Sequence, residues 1–284
     1  MTNTILVPFA AELPSGHILD AALAIASKLT SHVHATYIRP EPSAAMASLP
    51  DVIVAAGVTA TTIEHESAAH AARAKQQFEE WRNRNGGMAT PDEADQTWVG
   101  NWSERTGDIE TVVTRFGRIA DFIVLPRPSS DNAVTQRCFD AAVFGTGRPV
   151  LVVGAAPPPP DLTDHIMIAW NGSLEASRAL FAAMPLLRRA NRITLFTALN
   201  YDEQAVDLED VAASLREREI RTPAVLFPTG EHSAGVALVD AAKEHGASLI
   251  VMGAYTHSRL RALFLGGVTR HLLAHAPVPL LMSH

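Results

Sequence analysis

Two stretches of this chain repeat the apolar pattern of two others. "IADFIVLP" at 119–126 lies over "GASLIVMG" at 246–253, and "GRPVLVVG" at 147–154 lies over "PVPLLMSH" at 277–284. Each is a short apolar run bounded by Gly, Pro or small polar residues. Such runs read as strands buried on both faces, the kind found in parallel sheets. A repeat of this length means two copies of one unit. Strand and helix patterns alternate within each copy, which predicts a parallel sheet with helices on both faces.

The first copy reads as strand Thr4–Phe9, helix Ser15–Leu29 and strand His32–Ile38. A proline-led stretch, Pro40–Thr62, follows as a loop or short helix. Next come helix Ile63–Asn85, strand Gln96–Trp102, helix Asp108–Phe116, strand Asp121–Leu125, helix Gln136–Phe144 and strand Pro149–Val153. Four successive prolines, Pro157–Pro160, cannot sit inside a helix or a central strand and favour an extended polyproline connection. The pattern then restarts: strand His165–Trp170, helix Ser173–Arg188, strand Arg192–Leu199, helix Leu208–Arg218, strand Thr222–Phe227 and helix Ser233–His245. Strand Leu249–Met252, a loop, a helix through Ala274 and strand Val278–Met282 close it. The expected division is 1–154, a linker at 155–164, and 165–284. The apolar strands Val150–Val153 and Leu280–Met282 each end a sheet, so pairing them with one another would remove two exposed edges.

Composition narrows the function. A formal charge of −7 argues against a nucleic-acid or anionic-membrane surface as the main partner, since both need a basic face. One cysteine, Cys138, excludes an internal disulfide and fits a reducing compartment. It reads as a small buried hydrophobe. The opening "MTNTILVPFA" lacks the charged and apolar regions of a signal peptide, and no apolar run is long enough to span a bilayer. The expected location is the cytoplasm.

The chemistry is concentrated near the end. Gly253 closes a strand, a loop runs from Ala254 to Leu265, and Gly266-Gly267-Val268-Thr269 opens a helix that Pro277 stops. Glycines let backbone N–H groups approach an anion, and a helix N-terminus adds unpaired donors and a favourable dipole. The same glycines would also serve a plain strand–helix connection.

The spacing from Gly253, two residues to Thr256, then nine to Gly266-Gly267 resembles the ATP loop of the universal stress protein family, Gly-x2-Gly-x9-Gly-[Ser/Thr]. Thr256 stands at the second glycine and Gly267 at the Ser/Thr. "LIVMGAYTHSRLRALFLGGVTRHLLAHAPVPLLMS" resembles the family's C-terminal third throughout, and the tandem resemblance covers nearly the whole chain, most weakly over Pro40–Thr62. The resemblance implies an α/β fold of two tandem domains. Each would be a five-stranded parallel sheet with helices on both faces, of the Rossmann-like adenine nucleotide α-hydrolase type. It also implies ATP, with or without Mg2+, as the ligand, and dimer-like pairing through the closing strands, within the chain as a pseudo-dimer or between copies as a homodimer. No protein partner is indicated.

Carried over residue by residue, the ligand set is Asn171, Met252, Gly253, Thr256, Arg259, Gly266, Gly267, Val268 and Thr269. Asn171 stands where the family keeps an Asp against base or ribose; alternatively Asn171-Gly172 is a turn pair. Met252 would lie against adenine or be a core methionine. Thr256 and Thr269 offer hydroxyls to phosphate. Arg259 and Arg261 would close on it or remain exposed loop charges. In the first half Pro126 replaces Gly253, and Gln136 and Arg137 fall where Gly266 and Gly267 lie, so that half is expected to have lost the site.

Catalytic signatures are missing. There is no Walker lysine, no nucleophile elbow and no His-Glu-x-x-His. His271 and His275 share a helix face but lack the further ligands a zinc ion needs. His257 is the best candidate base and has no evident orienting partner. The expectation is a binding module that responds to ATP. The alternatives are a slow ATPase or phosphotransferase, for which Asn171 removes the needed carboxylate, and a scaffold with both sites empty.

Overall fold

The structure is a computed structural model. It describes residues 3–11, 13, 17–50, 52–53, 57–87, 98–198, 208–220, 222, 224–227, 233–255 and 267–284. The first half contains β1 (Asn3–Phe9), α1 (Ile18–Leu29), β2 (Ser31–Arg39), α2 (Pro42–Ala47) and α3 (Ala60–Arg84). It continues with β3 (Trp98–Thr106), α4 (Ile109–Gly117), β4 (Phe122–Pro126), α5 (Ala133–Gly145) and β5 (Val150–Val153). The second half contains β6 (His165–Ala169), α6 (Leu174–Ala182), α7 (Met184–Leu187), β7 (Arg192–Ala198) and α8 (Leu208–Arg216). Then come β8 (Ala224–Phe227), α9 (Ala234–Glu244), β9 (Leu249–Gly253), α10 (Gly267–His275) and β10 (Leu280–Ser283).

All ten strands form one sheet in the order β3-β2-β1-β4-β5-β10-β9-β6-β7-β8. Every neighbouring pair is parallel except the middle one. There β5 and β10 run antiparallel, with Leu280 opposite Val152, Leu281 opposite Leu151 and Met282 opposite Val150. Read outward from this seam, the two halves have the same strand order. The pairing of closing strands expected from their apolar character is therefore what the sheet adopts.

The apolar runs form strands because both faces are covered. Ile5, Val7, Val124, Leu151, Ile168, Val251 and Leu281 point into one buried cluster with α1, α3, α6, α7 and α8. Leu6, Ile123, Val150, Val152, Ile250, Met252 and Met282 point into the other with α4, α5, α9 and α10. Capping residues set several helix starts. Thr59 accepts from the Thr62 N–H, Asp108 from Glu110 and Thr111, Ser173 from Ala176, and Ser233 from Val236.

Some boundaries differ from the sequence reading. The helix expected over 173–188 is two pieces, α6 and α7, because Pro185 lacks an N–H and cannot continue the i to i−4 ladder. A short helix, α2, occupies part of the Pro40–Thr62 stretch. The helix expected from Gln136 starts earlier, at Ala133, because Asn132 caps it. The first described residue of β3 is Trp98 and β8 begins at Ala224, while 96, 97 and 223 lie outside the described residues.

Candidate functional site

In the second half the chain turns one way after β6, through α6 to β7, and the other way after β9, through α10 to β10. β6 and β9 are adjacent and parallel, with Ala169 opposite Met252. The crevice beyond the carboxyl ends of two such strands is where open α/β sheets bind ligands. Asn171 follows one strand and Gly253 ends the other.

Asn171 is exposed and engaged in a turn. Its side-chain oxygen accepts from the Ser173 hydroxyl at 2.6 Å and from the Ser173 N–H at 3.3 Å. Gly172 between them has φ +68, a conformation that favours glycine. Ser173 in turn caps α6. The carboxamide oxygen thus serves the turn, which leaves the Nδ2 hydrogens as the group it can offer a ligand.

Gly253 has a packing reason of its own. A Cβ there would stand 2.6 Å from the Ala176 nitrogen and 2.8 Å from the Glu175 carbonyl carbon, so the first turn of α6 sits directly on the end of β9. Met252 is 4% exposed and lies in the apolar cluster with Leu238 and Leu272, the core position its sequence allowed.

Gly267 opens α10 and is exposed, with no atom of the described residues within 4 Å of where a Cβ would lie. Val268 is exposed beside it and Thr269 is buried. Thr256, His257, Arg259, Arg261 and Gly266 lie outside the described residues. The described part suits an anionic ligand: a glycine-led helix start at the switch point of the sheet.

The first half closes the equivalent place. Residues 127–132 join β4 to α5, where 254–266 join β9 to α10. The Asn132 side chain accepts from the Val134 and Thr135 N–H groups, at 3.0 and 3.2 Å. These are the donors an anion would need. The Thr135 hydroxyl donates to the Asn132 carbonyl and accepts from the Ser129 N–H, holding the short loop against the helix. Gln136 and Arg137 lie inside α5 rather than at a loop mouth. Gln136 donates to Asp140, and Arg137 binds Asp108, which caps α4, and Glu110 in its first turn. Cys138 is 1% exposed, and burial pushes its thiol up to about 12, so it is an inert core residue.

No group of three or more His, Cys, Asp or Glu placed to hold a metal occurs among the described residues. The His271 and His275 rings stack at 4.4 Å, and His275 Nδ1 donates to the His271 carbonyl.

Three residues join the two halves beside β9 and α10 through contacts that the sequence did not show. Arg127 of the first half donates to the Ala274 and Ala276 carbonyls at the end of α10, at 3.2 and 2.8 Å. Tyr255, held at φ +56, packs its ring on Phe144 of α5 at 5.1 Å and on Phe139 at 6.3 Å. His284 sets its ring edge on Phe144 at 4.8 Å and bonds the Ala254 carbonyl through Nδ1. No spacing rule could have shown these, since they depend on how two distant segments meet.

Residues 163–284 match the model of the universal stress protein family. No curated protein matches the chain. Among solved structures, a universal stress protein from Archaeoglobus fulgidus DSM 4304 is similar over 98% of this chain and 95% of its own, with 14% identity and a TM-score of 0.75. A protein of Pseudomonas aeruginosa UCBPP-PA14, provisionally named a universal stress protein, covers 99% of this chain and 92% of its own, at 15% identity and a TM-score of 0.52. A universal stress protein solved in complex with cAMP covers 43% of this chain and 97% of its own, at 18% identity and a TM-score of 0.33. Residues 163–284 thus match the universal stress protein family, and the first half repeats the fold of the second across the central seam.

Proposed function

We propose that this chain is a tandem universal stress protein that binds ATP, with or without Mg2+, in its second half and signals by binding. The domains are 1–154, degenerate at the site, and 165–284, joined by 155–164. The observation that carries the reading is the contrast between the two switch points. In the second half α10 opens at an exposed glycine, Gly267, with no described side chain capping its first N–H groups, and in the first half the Asn132 side chain occupies the same kind of helix start.

In this reading the backbone from Gly266 to Thr269, with Thr256 and Arg259, holds phosphate. Asn171 donates to ribose or base from Nδ2, and Met252 and Gly253 form the floor beneath the adenine. Turnover is negligible. These groups hold phosphate oxygens but do not take up a proton, and Asn171 puts an amide where the family's carboxylate would stand. No helix among the described residues is long and apolar enough to cross a membrane, which agrees with the proposed cytoplasmic role.

Titration calorimetry of the full chain with ATP tests this, and the expected stoichiometry is one per chain. Two sites, or none up to millimolar ATP, would contradict it. Gly267→Glu separates ligand from fold. A carboxylate at a helix start stabilises the helix by about 0.3–1 kcal/mol, and its Cβ meets nothing. The variant should melt no lower than the parent and bind ATP at least tenfold more weakly.

A further inference from the structure

The segment that leaves β9, forms the loop and returns as α10 is held at both ends by the other half of the chain. At its entry Tyr255 takes a left-handed backbone conformation, which costs a non-glycine residue strain unless its surroundings fix it. Two aromatic rings of α5 pack on it, Phe144 at 5.1 Å and Phe139 at 6.3 Å. His284 packs on the opposite edge of the same cluster through Phe144 and ties down the Ala254 carbonyl.

At the exit α10 ends in carbonyls with no partner inside the helix. Arg127 supplies two N–H donors to them from the first half, reaching Ala274 and Ala276. A cation at this end also suits the helix dipole. Arg127 is half-buried and occupies the place that, in the second half, belongs to the start of the phosphate loop. A residue made unfit to hold a ligand in its own half thus grips the ligand helix of the other.

We infer that Phe144 and Arg127 of the first half are positioning residues for Tyr255, at the end of β9, and for α10, the two elements that flank the proposed nucleotide site, so that ATP binding and the packing of the seam are coupled. The inference rests on the reading that the second half binds ATP. The coupling is reciprocal by linkage: a ligand that fixes Tyr255 and α10 tightens the seam, and what loosens the seam weakens the ligand. Neither residue belongs to the proposed ligand set.

Full-length Phe144→Ala and Arg127→Met variants are titrated with ATP beside the parent and a control, Val33→Ala. Val33 is fully buried in the first half on β2, away from the seam, so its loss costs stability without reaching the loop. Expected is an affinity lower by about fivefold or more in both seam variants, with the control unchanged. Hydrogen exchange supplies the reciprocal readout: ATP slows exchange in α5 of the parent and leaves it unchanged in Phe144→Ala. A parent that does not bind ATP overturns the nucleotide reading and this inference together. A parent that binds, with both seam variants matching it, overturns this inference alone.

Discussion

A single methyl group tells the loop's glycines apart. At Gly253 an added Cβ would meet backbone atoms of Glu175 and Ala176, which cannot swing aside as a side-chain tip could. Gly253→Ala should therefore push α6 off β9 and cost about 1–3 kcal/mol, the usual penalty for overpacking. At about 2–4 °C per kcal/mol for a chain of this size, a thermal melt reads it. Gly267→Ala should leave the melt unchanged, since its Cβ enters open space. An unchanged melt in Gly253→Ala would show that the packing contact is slack. Both glycines were visible in the sequence as parts of one motif. Their separate duties were not, because spacing along the chain does not reveal which backbone passes 2.6 Å away. Asn171 shows the same limit. The turn pair and the ligand position were both legible, and the hydrogen bond from Ser173 shows that the turn claims its oxygen.

At the scale of elements, the strands were the legible part. The central strands β4, β5, β9 and β10 are buried on both faces, so their sequences are apolar almost without interruption. The helices were less so. Pro185 stops α6 and starts α7, although the apolar spacing runs through it. The start of α5 was placed too late because matching the two halves put Gln136 and Arg137 at a loop mouth. Asn132 is the stronger local signal, a residue of the preferred capping type before a helical run. Asn132→Ala removes the acceptor for two N–H groups and should cost about 0.5–2 kcal/mol, seen as a lower midpoint in urea. An unchanged midpoint would mean that the short loop closes the helix without its cap. The seam contacts of Arg127 and Tyr255 were not legible at all. Arg127 and Ala276 are 149 residues apart, and only the assembled sheet brings them together.

For the whole molecule, the joint between halves is a strand pair. Val150, Leu151, Val152, Leu280, Leu281 and Met282 are all fully buried there. Burying one such side chain is worth roughly 1.5–3 kcal/mol. The ion pair between Lys28 and Asp161, which ties the linker to α1, is about one-third exposed on each side and worth about 0–1 kcal/mol. The seam, not the linker, holds the halves. A protease site inserted at the exposed Ala155 and Ala156 should therefore give a cut chain that still elutes as one species under native conditions. Separation into two species after cutting would show that the tether is required. The same strand pair also imposes a schedule on synthesis. β5 lies at the rim of its own half until β10 exists, and the ribosome, adding roughly 5–20 residues per second, reaches β10 many seconds after β5 has emerged. Throughout that interval the first half carries a bare, wholly apolar rim in a crowded cell, where another nascent copy could pair with it. The shorter the synthesis of the second half, the briefer the exposure of that rim.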